Sequence, residues 1–269
     1  METNGFYRHT PVLTFHKVDT AFELGVTRVT PNQFKRIISF LADSGYETVS
    51  LKRLVDEGQR LPPKPIVITF DDGYASVAEV AAPVLTQFGF TATVFIITDY
   101  VGRRNEWDVN LGGFSFRHLG WNQVRELQRA GFDIQSHTHT HPDLSRSSGE
   151  RMDYELRTSK KILEDKLGTS VDFVSYPFGR YTDKVIKKSR DIGYIRGIGC
   201  CCGSNGDNSY VLRRNSFYLF DTIWNLKAKC GENNWQLFEE LKLKLINFCS
   251  HGTAIVKSGE RKKSRDIPE

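Results

Sequence analysis

Pro65-Ile66-Val67-Ile68-Thr69-Phe70-Asp71-Asp72-Gly73 is the stretch on which the reading of this chain turns. Its first six residues are an unbroken apolar and β-branched run, bounded by proline before and Asp-Asp-Gly after. A strand with one wet face would alternate polar and apolar residues. A continuous run predicts a strand buried on both faces, as in a parallel sheet covered by helices. Upstream, Pro11-Val12-Leu13-Thr14-Phe15 reads as an earlier strand of the same kind. Downstream, Val171 to Tyr176 reads as a later one.

Between these runs the chain repeats one kind of junction. Gly45-Tyr46, Gly89-Phe90, Gly131-Phe132 and Gly193-Tyr194 each precede a β-rich segment (ETVS, TATVFII, DIQS and IRGIG). Glycine ends a helix by taking the left-handed conformation, and the aromatic then opens the next strand. The helix before Gly45 carries its own start signal: Thr30 as cap, Pro31 in the first position and Gln33 completing a capping box. Phe34, Ile37, Ile38 and Leu41 follow at helical spacing. Met152, Leu156, Leu163 and Leu167 mark a face of another helix, ending at Gly168. Alternating helices and strands predict an α/β fold with a mostly parallel sheet or barrel. Residues 98–120 lack periodicity and read as a long functional loop. Beyond about residue 200 the pattern weakens.

Composition narrows the class. The 269 residues, 39% hydrophobic and 12% aromatic, suffice for a large core and read as one domain spanning 1–269 without a linker. The net charge of +5 includes a basic tail over 257–269, where Arg261, Lys262, Lys263 and Arg265 outweigh three acids; it reads as flexible and solvated. No nucleic-acid-binding signature is present. Five cysteines, three of them the run Cys200-Cys201-Cys202, do not form a disulfide framework and read as reduced, small, partly buried residues. Neither a signal peptide nor an 18-residue apolar span is seen. As it stands the chain reads as cytoplasmic; a membrane-peripheral protein or an exported one without its leader would look the same. Oligomeric state is not legible.

Chemistry-bearing residues gather at strand ends. His16 follows the first strand, Asp71 and Asp72 follow the run at 65–70, His137 and His141 follow DIQS, and Pro177-Phe178-Gly179 follows the strand near 175. Alone, Asp-Asp-Gly would be a turn, the two histidines a solvated loop, and His16 a satisfied half-buried side chain. Together they share the carboxyl edge of the strands, where α/β folds build active sites. Two imidazoles and one carboxylate suit a divalent cation and leave room for water and substrate. A second carboxylate alongside can take a proton from that water. Placing two adjacent aspartates at one site needs a turn, for which Gly73 provides the freedom. His139, between the two histidines, is read as supporting or exposed. Trp107 and Tyr176 are candidate substrate-stacking rings, with Trp107 alternatively a loop anchor.

These residues resemble the polysaccharide deacetylases, carbohydrate esterase family four. Thr69-Phe70-Asp71-Asp72-Gly73 matches that family's first motif, and Ser136-His137-Thr138-His139-Thr140-His141-Pro142 is similar to its metal motif. The resemblance implies a distorted, incomplete (β/α) barrel of about seven parallel strands. It implies Asp71 as general base, Asp72, His137 and His141 as ligands of one divalent metal (zinc first, with cobalt, nickel or iron accepted), and the backbone N–H of Phe178 in the oxyanion hole. Ser175-Tyr176-Pro177-Phe178 stands where the third motif has Arg-x-Pro-Tyr, so the arginine that orients the base is missing. Leu13-Thr14-Phe15-His16 matches the late Leu-x-x-His motif but stands at the front, an order resembling the circularly permuted, poly-N-acetylglucosamine-deacetylase branch. That assigns His16 as general acid, with His251 the late competitor. The fourth motif, Asp-x-x-Asp-Trp, is not found.

The expected function is removal of acetyl groups from an N-acetylated glycan or sugar. Its rivals are a non-catalytic glycan-binding protein on the same fold, a hydrolase of non-sugar amides, and a non-haem iron oxygenase. The substrate could be peptidoglycan, chitin, poly-N-acetylglucosamine or a lipid-linked sugar, and O-acetyl esters stay open.

Overall fold

The computed structural model describes residues 10–20, 26–56, 58–105, 115–200, 209–232, 234–235, 238–239 and 241–242. The basic tail lies outside them. β1 (Val12–Phe15) leads into a small two-stranded sheet of β2 (Lys17–Val18) and β3 (Arg28–Val29). α1 (Pro31–Asp43), β4 (Glu47–Thr48) and α2 (Leu51–Val55) follow, then β5 (Pro65–Phe70), a π-helical turn at Val77–Ala81 and α3 (Ala82–Gln87). The second half runs β6 (Thr93–Ile96), α4 (Trp121–Arg129), β7 (Asp133–Ser136), α5 (Gly149–Leu167), β8 (Phe173–Ser175), α6 (Asp183–Ile192), β9 (Arg196–Cys200), β10 (Val211–Ser216) and α7 (Ile223–Lys229).

Every pairing within the main sheet is parallel. Strand order β1-β10-β9-β8-β7-β6-β5 closes on itself because β1 also pairs with β5, Val12 opposite Val67 through Phe15 opposite Phe70. This is the distorted barrel of seven parallel strands that the family resemblance implied, with the run at 65–70 as one of its buried strands. The two-residue β4 meets β5 only at Pro65 and Ile66, while β6 takes the same edge further along at Thr69 and Phe70. No helix among the described residues is long and apolar enough to cross a membrane.

Strand alternation separates two cores. Val12, Val67, Phe95, Phe173 and Ile198 come from five strands and pack together inside the ring. Their neighbours Leu13, Ile68, Val94, Val174 and Phe70 face outward and pack with the helices. α1 shows how local signals become packing. Thr30 accepts from the Gln33 N–H while the Gln33 side chain returns to the Thr30 N–H. The helix then buries Phe34, Ile37, Ile38 and Leu41, each worth about 1.5–3 kcal/mol of transfer free energy. Phe34 meets Phe15 edge-on at 5.2 Å, joining the helix to β1.

Inside the barrel the period of two carries the chain from apolar floor to polar rim. Val67, Thr69 and Asp71 follow one another on one side, as do Val12, Thr14 and His16 on the next strand, with Thr14 and Thr69 hydrogen-bonded through their hydroxyls at 2.8 Å. The rim at the carboxyl ends of the strands is therefore where charged side chains converge.

Candidate active site

Asp72 and the two histidines meet at this rim. Asp72 Oδ1 lies 3.3 Å from His137 Nε2 and 3.5 Å from His141 Nε2, and the three candidate ligand atoms all lie within 4.8 Å of one another. Ligands held tetrahedrally at about 2.0–2.1 Å from one zinc stand about 3.3–3.4 Å apart, so Asp72 already stands near that spacing from each histidine, and all three atoms lie close enough to share one cation. His137 Nδ1 lies 2.8 Å from the Ser175 carbonyl, which only an N–H can satisfy, so Nε2 is the nitrogen that faces Asp72 and carries the lone pair once the ring is neutral. Donor chemistry and spacing both fit a divalent metal.

Local backbone geometry makes this convergence possible. Among non-glycine described residues, positive φ occurs at Asp72 (67°), Thr138 (68°), His141 (59°) and Phe178 (58°), all at this site. Such conformations cost about 1–3 kcal/mol each and persist where surroundings impose them. The turn assigned to Gly73 thus begins one residue earlier, at Asp72 itself. Gly73 is also left-handed, and a Cβ there would lie 2.8 Å from Ile96 Cδ1.

Asp71 is fully buried and faces the barrel interior. Its carboxylate accepts from Ser175 Oγ at 3.2 and 3.3 Å and from Arg214 Nη1, which also donates to Ser175 Oγ at 2.9 Å. Asp71 Oδ2 stands 3.6 Å from His137 Nε2. Burial alone would raise the Asp71 pKa, but the Arg214 guanidinium and the neighbouring imidazoles hold it below the ordinary carboxylate range. The arginine missing from motif three is thus supplied from β10. Arg213-Arg214 was the available signal: adjacent strand residues face opposite ways, so one of the two had to point inward. His118 was also missed. Its Nδ1 lies 2.9 Å from the Asp72 carbonyl, bracing the ligand turn from behind, and its ring stacks on Tyr74 at 4.8 Å.

His16 ends β1 beside this cluster. Burial lowers its pKa, opposed by the charges of Asp72 and Asp71, and its Nδ1 has no hydrogen-bond partner among the described residues. Phe178 sets its ring edge-on to His141 at 4.9 Å. His139 turns away from the ligand trio, its Nδ1 2.9 Å from Thr98 Oγ1. Tyr176 corrects the sequence reading: fully buried, it donates its hydroxyl to Ser189 on α6 and offers no face to a sugar. Ser175 faces inward, so its neighbour must face the helices. Trp107, His251, Cys201 and Cys202 lie outside the described residues, and Cys200 is buried with a free thiol.

A family model described as polysaccharide deacetylase matches residues 58–196, more than half of the chain. The chain belongs to the polysaccharide deacetylase family. The matched span holds Asp71, Asp72, His137, His141 and Ser175. His16 and Arg214 fall outside it, His16 directly after β1 and Arg214 on the adjacent β10. The Bacillus subtilis protein YxkH is 29% identical over 209 residues, covering 76% of this chain and 70% of that one. The poly-beta-1,6-N-acetyl-D-glucosamine N-deacetylase of Staphylococcus epidermidis is 27% identical over 181 residues, 63% of this chain and 60% of the enzyme's length. The match therefore spans less than two thirds of that relative. The Streptococcus pyogenes deacetylase PplD, solved with acetate, superposes with a TM-score of 0.71 at 24% identity, covering 82% of this chain and 97% of that one. IcaB from Ammonifex degensii gives 0.69 at 20% identity, covering 83% and 96%. At these identities both structural likenesses are of fold.

The site's charges set an expected pH dependence for metal uptake. Burial, and then the neighbouring His137, depress the His141 pKa to about 3, so its nitrogen is free of a proton at neutral pH. Burial works the same way on His137, but Asp71 and Asp72 outweigh it and raise the His137 pKa. Below that raised pKa a cation must expel one proton, so zinc affinity is expected to rise about tenfold per pH unit and level off above it. Chelator competition at pH 6, 7 and 8 measures this; a flat profile would contradict it.

Proposed function

We propose that this deacetylase is a metal-dependent hydrolase that removes acetyl groups from N-acetylglucosamine units of a glycan. The observation that carries the reading is the ligand-spaced trio of Asp72, His137 and His141 beside a second, separately held carboxylate, Asp71. The trio would hold one divalent ion, zinc by first choice, with cobalt, nickel or iron also suited to these donors. Such an ion, when bound, polarises the amide carbonyl and brings the pKa of water toward about 7.

The chain's own residues do the rest. Asp71, ionised, takes a proton from the attacking water as its oxygen bonds to the acetyl carbon. Arg214 and Ser175 fix the carboxylate so that it meets the water rather than rotating away. The Phe178 N–H, presented by a left-handed backbone, donates to the carbonyl oxygen as it becomes negative. His16, once protonated, delivers its proton to the amine nitrogen as the carbon–nitrogen bond breaks, and its lowered pKa favours that release. Acetate and a free amino sugar result. The glycan class draws support from the Staphylococcus epidermidis relative, named for poly-beta-1,6-N-acetyl-D-glucosamine. The non-catalytic rival leaned on the missing arginine and the missing fourth motif, and Arg214 removes the first of these reasons.

The test is acetate release by zinc-loaded protein from β-1,6- and β-1,4-linked N-acetylglucosamine oligomers and from O-acetylated sugars, beside ring opening of simple cyclic amides. Preferential release from the N-acetylated oligomers is expected. Turnover of the cyclic amides alone would sink the glycan assignment, and no turnover of any of them would sink the hydrolase.

A further inference from the structure

We propose that Glu155, outside every motif named above, is the positioning residue that holds the loop carrying His137 and His141 in its ligating form. The inference rests on reading those histidines as metal ligands. Glu155 lies on α5 and is fully buried, a charge on the helix face that otherwise packs Met152, Leu156 and Leu163. Its Oε2 accepts the backbone N–H of His139 at 3.0 Å and of Thr140 at 2.7 Å. Its Oε1 accepts the Thr140 hydroxyl at 2.6 Å and pairs with Arg151 at 2.7 Å.

The loop's backbone donors show what this accomplishes. Thr138 N–H goes to Ser136 Oγ and His141 N–H to Thr138 Oγ1, leaving the N–H groups of His139 and Thr140 to Glu155. Those two successive donors lie between the left-handed residues Thr138 and His141, a backbone concavity of the kind that captures anions. The opposite side of the loop is held through carbonyls, with Thr98 N–H on Thr138 and Asp99 N–H on His139. Glu155 thus compensates the conformational cost at Thr138 and His141 and sets how the two imidazoles present their Nε2 atoms. A carboxylate is required because all four partners are donors; glutamine would turn an NH2 against one of them.

The test measures metal affinity and ligand geometry rather than turnover. In Glu155→Gln the zinc dissociation constant is expected to rise about 10- to 100-fold, the usual consequence of losing a ligand's supporting partner. The visible spectrum of the cobalt-substituted protein should change in position or intensity. Thr140→Val exchanges one hydroxyl for a methyl and leaves Glu155 its other three partners, so it folds if Glu155→Gln does not, and should weaken zinc about 2- to 10-fold. Wild-type zinc affinity and an unchanged cobalt spectrum in the soluble variants, even with a lowered Tm, would overturn the proposal and leave Glu155 a packing residue. Should the wild-type protein bind zinc yet release no acetate, while the variants lose zinc, the functional reading falls and this one stands.

Discussion

Asp71→Asn is expected to keep its metal and lower kcat for acetate release by about 10²- to 10⁴-fold, the range general-base catalysis supplies. Asparagine preserves the shape of the side chain and can still accept a hydrogen bond from Arg214, but it cannot take a proton from water. Asp72, not Asp71, points its oxygen at both histidines, so the ligand trio survives the change. The reciprocal variant separates the roles. Asp72→Asn should lose zinc by chelator competition and lose turnover as a consequence. Equal loss of zinc in both variants would show the aspartates acting as one ligand pair, and undiminished turnover in Asp71→Asn would remove it as base.

Arg214→Ala should produce the largest loss of stability, about 3–5 kcal/mol, because it strands the Asp71 carboxylate at the wholly buried rim of the barrel. Both partners are nearly inaccessible to water, with side-chain exposures of 4% and 0%, so solvent cannot take over from the guanidinium. The Asp71 pKa, held down by Arg214, should then move up. A carboxylate that stays protonated at higher pH is a poorer base, so the acid limb of the activity profile shifts to higher pH. Denaturant unfolding and pH–rate profiles measure the two effects. The double variant Asp71→Asn/Arg214→Ala should recover part of the stability, since neither charge is left alone. Wild-type stability in Arg214→Ala would contradict the buried ion pair.

What could be read from the chain alone follows the range of the interactions involved. β5 is legible to the residue because an apolar run between Pro65 and Asp71 needs no information from elsewhere, and α1 because Thr30 and Gln33 cap it locally. Asp71, Asp72, His137 and His141 are legible as a group because each follows a strand. Arg214 is not, since it meets Asp71 across 143 positions and a charge inside a barrel breaks the hydrophobic pattern used to find strands. Glu155 is hidden the same way, as an acid on the buried and mostly apolar face of its helix. Tyr176 was misassigned by one step of alternation: Ser175 turns into the barrel and the ring turns out. His118 sits in the irregular stretch after residue 98, where no period betrays which side chain points inward.

The most direct test of the account is acetate release from N-acetylglucosamine oligomers by metal-stripped protein as zinc is returned in measured fractions. Activity should be lost on stripping, rise in proportion to bound zinc and plateau at one ion per chain, with no such recovery in His141→Ala. Full activity in the stripped protein, or recovery that ignores the loss of His141, would contradict a single metal held by Asp72, His137 and His141 as the source of the chemistry.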